Sequence, residues 1–440
     1  MALYQVLVVD DSAFMRKIIS DLIEKDSSFE VIATAATGRE AIEKVQQLKP
    51  DIVTMDVEMP EMNGLEALKA IMSISALPVI MLSGINEQGI KETIMALELG
   101  AFDFIRKPSV RIDNDIEQVG RTLLEQMNAA MQAKERKQAR LAEEERRKKE
   151  LTDTSRRLQK LNAESPKTSG ADKKLPNTGL ITKETQHKDK RRIEPVKRSH
   201  PAHPDKLVKK QAQALPDRRS TPAVQSSKTT QPANAQLPPA STIKSVPSAL
   251  SHLIAVGCST GGPRALKVLL EQLPADLQAP VVIVQHMPPN FTKSLAQRLN
   301  HFSPLEVTEA EHGMSLKKGH AYLAPGGYHM AVVQSADGSY RIALSQTEPV
   351  NGHRPSVDHL YESLLPLRSL QKHLVLMTGM GSDGAKMMKR LYDAGVTSTF
   401  AESEETCVVY GMPRCAVELK CVTHTLPLQE IAAKLVDSIK

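Results

Sequence analysis

The chain has 440 residues, of which 41% are hydrophobic, 25% charged and 3% aromatic, with no tryptophan. This length allows about three domains, which excludes a mini-protein held together by disulfides. Its four cysteines show no CxxC spacing, so we expect reduced thiols in a cytoplasmic protein. The sequence lacks a signal-like start and an apolar run of about 18 residues, so we expect neither secretion nor a membrane span.

Charge is distributed unevenly along the chain, whose formal net charge is +6. Residues 151–250 contain 20 Lys and Arg against 8 Asp and Glu, and hold 11 of the 27 prolines but no Phe, Tyr, Met or Cys. Such a segment cannot bury enough apolar surface to offset its ordering entropy, so a disordered basic linker is predicted from about 162 to 247. Without base-stacking aromatics or a DNA-binding motif, it gives no reason to expect specific nucleic-acid binding.

The first 125 residues predict a fivefold repeat of strand and helix. Strand-like runs are YQVLVVD, VIATA, DIVTMD, PVIMLS and FDFIRK, and helices are predicted over Ser12 to Glu24, near Glu40 to Leu48, near Gly64 to Met72, near Ile90 to Leu97 and from about Asp113. This alternation is typical of a doubly wound, flavodoxin-like (βα)5 domain with buried parallel strands. A solvated, charged helix is predicted to follow, so that residues 126–249 are helix and then linker.

Residues 250–440 predict a second, larger α/β domain with a mostly parallel sheet. The runs HLIAVG, PVVIVQ and HLVLMT each read as a strand followed by a Gly-rich or polar turn and a helix. Between them, HAYLAP, HMAVVQ and YRIALS predict shorter strands, some paired as a hairpin around SADGS.

Polar side chains end four strands of the first domain. Asp10 and Asp11 follow the first strand, Asp56 ends the third, and Ser83 and Lys107 end the fourth and fifth. Carboxyl ends of neighbouring strands line one crevice, where clustered carboxylates require a cation such as Mg²⁺. The hydroxyl and the ammonium would stabilise a phosphoryl group there. The alternative, that the aspartates only cap helices and form turns, explains one position more easily than five.

The motifs VLVVDDSAFMRK, VTMDVEMPEMNGLEAL, IMLSG and FIRKPS closely resemble the receiver domain of two-component response regulators. The resemblance implies that a histidine kinase phosphorylates Asp56, and that Asp10, Asp11 and Asp56 hold Mg²⁺. It further implies that Ser83 and Lys107 contact the phosphoryl group. Phe104 would be the aromatic side chain that changes rotamer on activation.

The second domain begins with a candidate nucleophile. Gly257-Cys258-Ser259-Thr260-Gly261 lies between a strand and a helix and fits the G-x-S-x-G turn that exposes a serine hydroxyl. A phosphate-binding loop of a nucleotide fold is the alternative, but such a fold needs an acidic residue at the end of the next strand. That strand ends in Gln285-His286 instead. Cys258 is expected to point away from the turn as a small buried residue.

Two further strand ends complete a candidate serine hydrolase site. His286 follows the second strand as a base, and Asp383 lies in the Gly-rich loop after HLVLMT as the residue that orients it. Backbone N–H groups of this loop, with Met380 as the best candidate, would stabilise an oxyanion. The remaining histidines lack metal-ligand spacing, so no metal is expected for the hydrolytic step.

The motifs GCSTGGPRAL, VVIVQHMPPNFTKSLAQRL, NGHRPSVD, MTGMGSDGA and CVVYGMP resemble the catalytic domain of chemotaxis protein-glutamate methylesterases. The resemblance implies demethylation of γ-glutamyl methyl esters and deamidation of glutamines on chemoreceptor cytoplasmic helices, hence a cytoplasmic enzyme recruited to membrane receptor arrays. Ser259, His286 and Asp383 match the family's triad, with Thr260 beside the nucleophile and Met380 at the oxyanion-forming methionine. Ser382, the acidic stretch AESEETCVVY and the long linker depart from the family pattern.

The resemblance also implies that the unphosphorylated receiver covers the catalytic cleft and that phosphorylation releases it. A tether of about 85 disordered residues spans roughly 50 Å, so it sets only a moderate effective concentration of one domain near the other. We therefore expect weaker basal inhibition than in relatives with a short linker. Shortening the linker to about 15 residues should lower basal activity.

Overall fold

The structure is a computed structural model that describes residues 3–84, 86–108, 113–163 and 250–439. The described residues up to 155 and from 250 onwards form one compact unit. Most of the predicted linker, from 164 to 249, lies outside the described residues. Within the described ranges, no helix is both long enough and apolar enough to cross a lipid bilayer.

The N-terminal part folds as the predicted (βα)5 unit. Its strands are β1 (Tyr4–Val9), β2 (Phe29–Ala35), β3 (Ile52–Asp56), β4 (Val79–Ser83) and β5 (Asp103–Arg106). Its helices are α1 (Ala13–Ile23), α2 (Gly38–Leu48), α3 (Gly64–Ile74), α4 (Glu87–Leu99) and α5 (Asp113–Ala163). All neighbouring strands are parallel, in the order β2-β1-β3-β4-β5, which is the flavodoxin-like order.

Local sequence explains where the first helices begin. Ser12 lies directly after the Asp10-Asp11 pair and its hydroxyl accepts the N–H of Met15, so the predicted cap of α1 is present. Asn63 and Glu66 form a reciprocal capping box at the start of α3. Each cap ends the preceding loop at the carboxyl edge of the sheet, where the acidic residues are gathered.

Helix α5 is far longer than a βα repeat requires, because it runs without interruption for 51 residues. Its first part packs on the receiver sheet through buried side chains including Leu123 and Met127. From residue 134 onwards most of its side chains are exposed and charged, as predicted for a solvated helix. The predicted boundary at 125/126 therefore falls inside one helix.

The C-terminal part contains a seven-stranded sheet. Its strands, with a separate hairpin, are β6 (His252–Cys258), β7 (Val281–Gln285), β8 (Glu306–Glu309), β9 (His320–Leu323), β10 (His329–Gln334), β11 (Tyr340–Ser345), β12 (Gln371–Leu376), β13 (Thr399–Glu402) and β14 (His424–Leu426). Its helices are α6 (Gly262–Gln272), α7 (Phe291–Phe302), α8 (Val357–Ser363), α9 (Ala385–Asp393), α10 (Met412–Glu418) and α11 (Leu428–Ile439).

The order of this sheet determines where a site can form. The strands run parallel in the order β14-β13-β12-β6-β7-β9-β8, and β10 and β11 form the antiparallel hairpin predicted around SADGS. The connection from β6 to β7 proceeds towards one edge, whereas β12 lies on the other side of β6. In doubly wound sheets, ligands bind at the carboxyl ends of strands at such a switch point. Apolar clusters cover both faces of the sheet.

Candidate active site

The receiver part brings its acidic residues together at the carboxyl ends of β1 and β3. Carboxylate oxygens of Asp10, Asp11 and Asp56 all lie within 4.8 Å of one another. Asp10 and Asp56 are buried, and the Lys107 ammonium lies 2.8 Å from Asp10 Oδ2 and 2.7 Å from Asp56 Oδ2. Ser83 is buried at the end of β4, where its hydroxyl donates to Gly84 O and accepts from Thr93.

The protonation of these groups follows from their burial. Burial raises the pKa of Asp56 to about 6, although the hydrogen bond and charge of Lys107 oppose the shift. Burial alone would lower the pKa of Lys107, but its two carboxylate partners raise it overall. Three oxygen ligands at one sheet edge fit a hard divalent cation such as Mg²⁺, since its charge would relieve their mutual repulsion.

Ser259 lies in a tight turn between β6 and α6. Gly261 adopts φ +79°, a left-handed conformation that favours glycine, and a Cβ at Gly262 would come within 1.8 Å of Gln285 Oε1. The Gln285 amide nitrogen donates to Ser259 O at 3.0 Å, which ties the turn to the end of β7. Cys258 is fully buried and burial raises the pKa of its thiol, so it does not share the exposed side of the turn.

His286 and Asp383 meet across the ends of β7 and β12. His286 Nε2 lies 2.9 Å from Asp383 Oδ2, with both side chains almost inaccessible to solvent. His286 Nδ1 is buried and has no hydrogen-bond partner among the described residues. The ring of His353 stacks on that of His286 with centroids 3.8 Å apart and planes at 7°. Burial lowers the pKa of His353 to about 4, so this neighbour is neutral near pH 7.

Asp383 is held by a set of donors from the segment before α8. Asn351 Nδ2 lies 2.7 Å and Ser356 Oγ 2.9 Å from Asp383 Oδ1, and the Val357 N–H donates to Oδ2 at 2.6 Å. Burial by itself would raise the pKa of Asp383, but His286, Asn351 and Val357 together hold it well below its ordinary value. The carboxylate is therefore ionised and fixed in orientation.

Two backbone N–H groups beside Ser259 are available for a ligand. In the loop after β12, the Thr378 N–H donates to Glu402 and the Gly379 N–H donates to Val409 O. The N–H groups of Met380 and Thr260 have no acceptor among the described residues. They flank the nucleophile turn because the Ser259 N–H donates to Thr378 O at 3.0 Å.

The receiver contacts the catalytic part next to Ser259. The Thr260 hydroxyl donates to Asp103 Oδ2 at 2.5 Å, and burial raises the pKa of Asp103 to about 6. The Phe104 ring stacks on Phe291, the first residue of α7, with centroids 4.5 Å apart.

A second part of this contact is electrostatic. Arg298 makes two 3.0 Å bonds to the Glu98 carboxylate, one from Nε and one from Nη2. Helix α4 thereby packs against α6 and α7.

All the residues singled out from sequence are placed at strand ends or in the adjoining loops, with Phe104 inside β5. Asn351, Ser356, His353 and Glu402 were not assigned roles. The motif NGHRPSVD carries the first three and offered a signal, but nothing in the local pattern shows that it returns to Asp383. Met380 and Thr260 lie where the oxyanion prediction requires N–H groups.

Comparison with known proteins identifies the family. Residues 254–435 match the CheB methylesterase family, and residues 6–117 match the response regulator receiver domain. A crystal structure of the Thermotoga maritima CheB methylesterase catalytic domain is 39% identical, covers 43% of this chain and 99% of that one, and gives a TM-score of 0.42.

Full-length relatives show the same arrangement. Protein-glutamate methylesterase/protein-glutamine glutaminase of Bacillus subtilis is 37% identical over 99% of this chain and 98% of its own length. The protein of that name from Geobacillus kaustophilus is 38% identical over the same shares. The chain therefore belongs to the CheB family of protein-glutamate methylesterase/protein-glutamine glutaminase enzymes with an N-terminal response regulator receiver domain.

Proposed function

We propose that this enzyme hydrolyses γ-glutamyl methyl esters and deamidates glutamines on the cytoplasmic helices of chemoreceptors, which gives sensory adaptation in chemotaxis. The observation that carries the proposal is the 2.9 Å contact of His286 Nε2 with Asp383, next to the nucleophile turn of Ser259. Acyl transfer requires a serine, a base and a group that orients the base, and these three residues supply them.

The orientation of His286 assigns the proton transfers. Asp383 accepts the Nε2–H, so the neutral ring carries its basic lone pair on Nδ1, which is free. Nδ1 takes the Ser259 proton as the hydroxyl oxygen attacks the side-chain carbonyl of the modified glutamate. The same nitrogen then protonates the departing methoxide or amine, and water hydrolyses the acyl-enzyme by the reverse route. These steps use no metal.

The oxyanion of each tetrahedral intermediate needs donors that are in place beforehand. The free N–H groups of Met380 and Thr260 supply them, since neither is engaged within the described protein. Removing one such donor typically costs about 10²–10³-fold in kcat. The short bonds of Thr378 and Gly379 to their own acceptors keep the Met380 loop in position.

The receiver is the regulatory part. Asp56 is the carboxylate that accepts a phosphoryl group from a histidine kinase, Asp10, Asp11 and Asp56 hold Mg²⁺, and Lys107 and Ser83 contact the phosphoryl oxygens. Bound Mg²⁺ would neutralise charge on the transferring phosphoryl group. The contacts Thr260–Asp103 and Phe104–Phe291 support a covering role, because they lie at the nucleophile turn and at the start of the helix that follows His286. Phosphorylation would weaken them and open the site.

Methanol release from a methylated chemoreceptor cytoplasmic fragment tests this function. Wild type, Ser259→Ala and Asp56→Asn are each assayed with and without Mg²⁺ and a small phosphodonor. We expect release that requires Ser259 and rises with phosphodonor only when Asp56 is present. Release without phosphodonor dependence contradicts the covering role, and release that persists in Ser259→Ala contradicts the serine mechanism. A cytoplasmic location at receptor arrays predicts co-sedimentation with receptor-containing membranes.

A further inference from the structure

Glu402 is a buried acid that the proposed mechanism does not use. It ends β13, next to the strand that carries the oxyanion loop, and its side chain is fully inaccessible to solvent. Its Oε1 makes no hydrogen bond within the described part of the chain. Because burying a carboxyl group without full hydrogen bonding is costly, its presence requires a reason beyond packing.

The second carboxyl oxygen of Glu402 bonds to the oxyanion loop. The Thr378 N–H donates to Glu402 Oε2 at 2.8 Å, and the carbonyl of the same residue accepts the Ser259 N–H at 3.0 Å. One residue, Thr378, therefore connects the carboxyl group of Glu402 to the backbone of the nucleophile.

The Thr378 side chain extends this connection. Its hydroxyl donates to Thr260 O at 2.9 Å and accepts from the N–H groups of Val408 and Val409 at 3.1 and 3.0 Å. The position of Thr378 thus determines the positions of Ser259, Thr260 and the Met380 N–H together. A small rotation of its peptide plane would move the nucleophile and both oxyanion donors relative to one another.

We propose that Glu402 is a positioning residue for the hydrolytic step, whose carbonyl-type oxygen fixes the Thr378 peptide and thereby holds Ser259 and the oxyanion donors in register. This inference rests on the proposed serine mechanism. The role requires an acceptor oxygen at this point and does not require a negative charge.

The surroundings of Glu402 support an acceptor whose charge is not needed. Burial raises its pKa, although the Thr378 N–H, the Thr406 hydroxyl, the Cys407 thiol and the charge of Arg264 on α6 oppose the shift. Burial, together with the charge of Glu402, raises the pKa of the Cys258 thiol on β6 and of the Cys407 thiol, so both neighbours are neutral. An ionised carboxylate would also oppose the negative charge that develops at the adjacent oxyanion.

A comparison of Glu402→Gln with Glu402→Ala tests the proposal. Glutamine keeps a side-chain carbonyl that can accept the Thr378 N–H, whereas alanine removes it. Methanol release is measured on the full chain with Mg²⁺ and phosphodonor, and kcat is normalised to the Ser259 sites titrated by a fluorophosphonate probe. We expect Glu402→Ala to lower kcat roughly tenfold to a hundredfold with KM changed less than about threefold, and Glu402→Gln to stay within about threefold of wild type.

Three results would overturn the inference. They are an unchanged kcat per titrated site in Glu402→Ala, a loss in Glu402→Gln as large as in Glu402→Ala, and a loss that appears in KM alone. A purely structural role would lower the number of titratable sites and the unfolding temperature without changing kcat per site. Glu405→Gln, an exposed neighbour in the same loop, is the matched control and should behave as wild type. Activity of wild type that does not depend on Ser259 would mark failure of the proposed function itself.

Discussion

His286 contacts Asp383 through Nε2, and its Nδ1 is left without a partner among the described residues. The imidazole is therefore oriented with Nδ1 as the proton-transferring nitrogen, the reverse of the trypsin-like arrangement in which Nε2 faces the serine. Asp383 determines this choice because it accepts the proton-bearing nitrogen and is itself fixed by three donors from another loop.

Asp383→Asn should lower kcat about 10⁴-fold, because an amide can donate to Nε2 and so favours the tautomer whose proton sits on Nδ1. Methanol release under phosphodonor, with KM determined separately, measures the effect. Asp393→Asn changes an exposed aspartate of the same domain and should leave kcat unaltered. A loss below tenfold in a folded Asp383→Asn protein would contradict the role of Asp383 in orienting the ring.

Arg298→Ala should raise the activity measured without phosphodonor by about fivefold and leave the phosphodonor-stimulated activity unchanged. The reason is that it removes a bidentate contact to Glu98, worth about 1 kcal/mol, from the face that holds the receiver against the catalytic part. Glu98→Ala should have the same effect, and the double variant no more than either alone. Arg390→Ala, which removes a contact to Glu362 within the catalytic part, serves as the control.

Mg²⁺ binding should weaken as the pH falls below about 6. Burial raises the pKa of Asp56 to about 6, so protons compete with the metal from that pH downwards, by up to about tenfold in Kd per pH unit. Titration calorimetry of the full chain at pH 7.5 and 5.0 measures this. Asp56→Asn should bind more weakly at pH 7.5 and show a smaller change with pH. An equal Kd at both pH values in the wild type would refute the assignment.

His373 should make the protein less stable in mild acid. Its Nε2 lies 3.0 Å from His252 Nδ1, its Nδ1 lies 2.7 Å from Ser398 Oγ, and burial lowers its pKa to about 4. Between that value and the ordinary 6.5 the unfolded chain binds a proton that the folded chain excludes. The free energy of unfolding therefore falls as pH drops through this window, by up to about 1.4 kcal/mol per pH unit from this group.

Urea unfolding of wild type and His373→Asn at pH 7.0, 6.0 and 5.0 measures that contribution. The variant should lose part of the pH dependence, whatever its stability at pH 7.0. Parallel stability curves for the two proteins would show that His373 is not the group responsible.

Strand-end residues were accessible to sequence reasoning because parallel strands bring their carboxyl ends to one edge. The placement of Asp10, Asp56 and Lys107 follows from that rule, and so does the meeting of His286 with Asp383. Asn351 and Ser356 were not predicted to bind Asp383, since they arrive from a loop about 30 residues away whose path depends on packing. Glu402 was noted only as an acidic departure from the family pattern.

The sequence by itself determined the two α/β units, the strand-end chemistry and the nucleophile turn, because hydrophobic periodicity and glycine positions are local properties of the chain. Only the tertiary structure decided which imidazole nitrogen faces Asp383, that Glu402 holds Thr378, and that Asp103 reaches Thr260. These contacts join residues separated by 24 to 157 positions. Their geometry depends on how helices and strands pack, and a pattern of local periodicity contains no record of those distances.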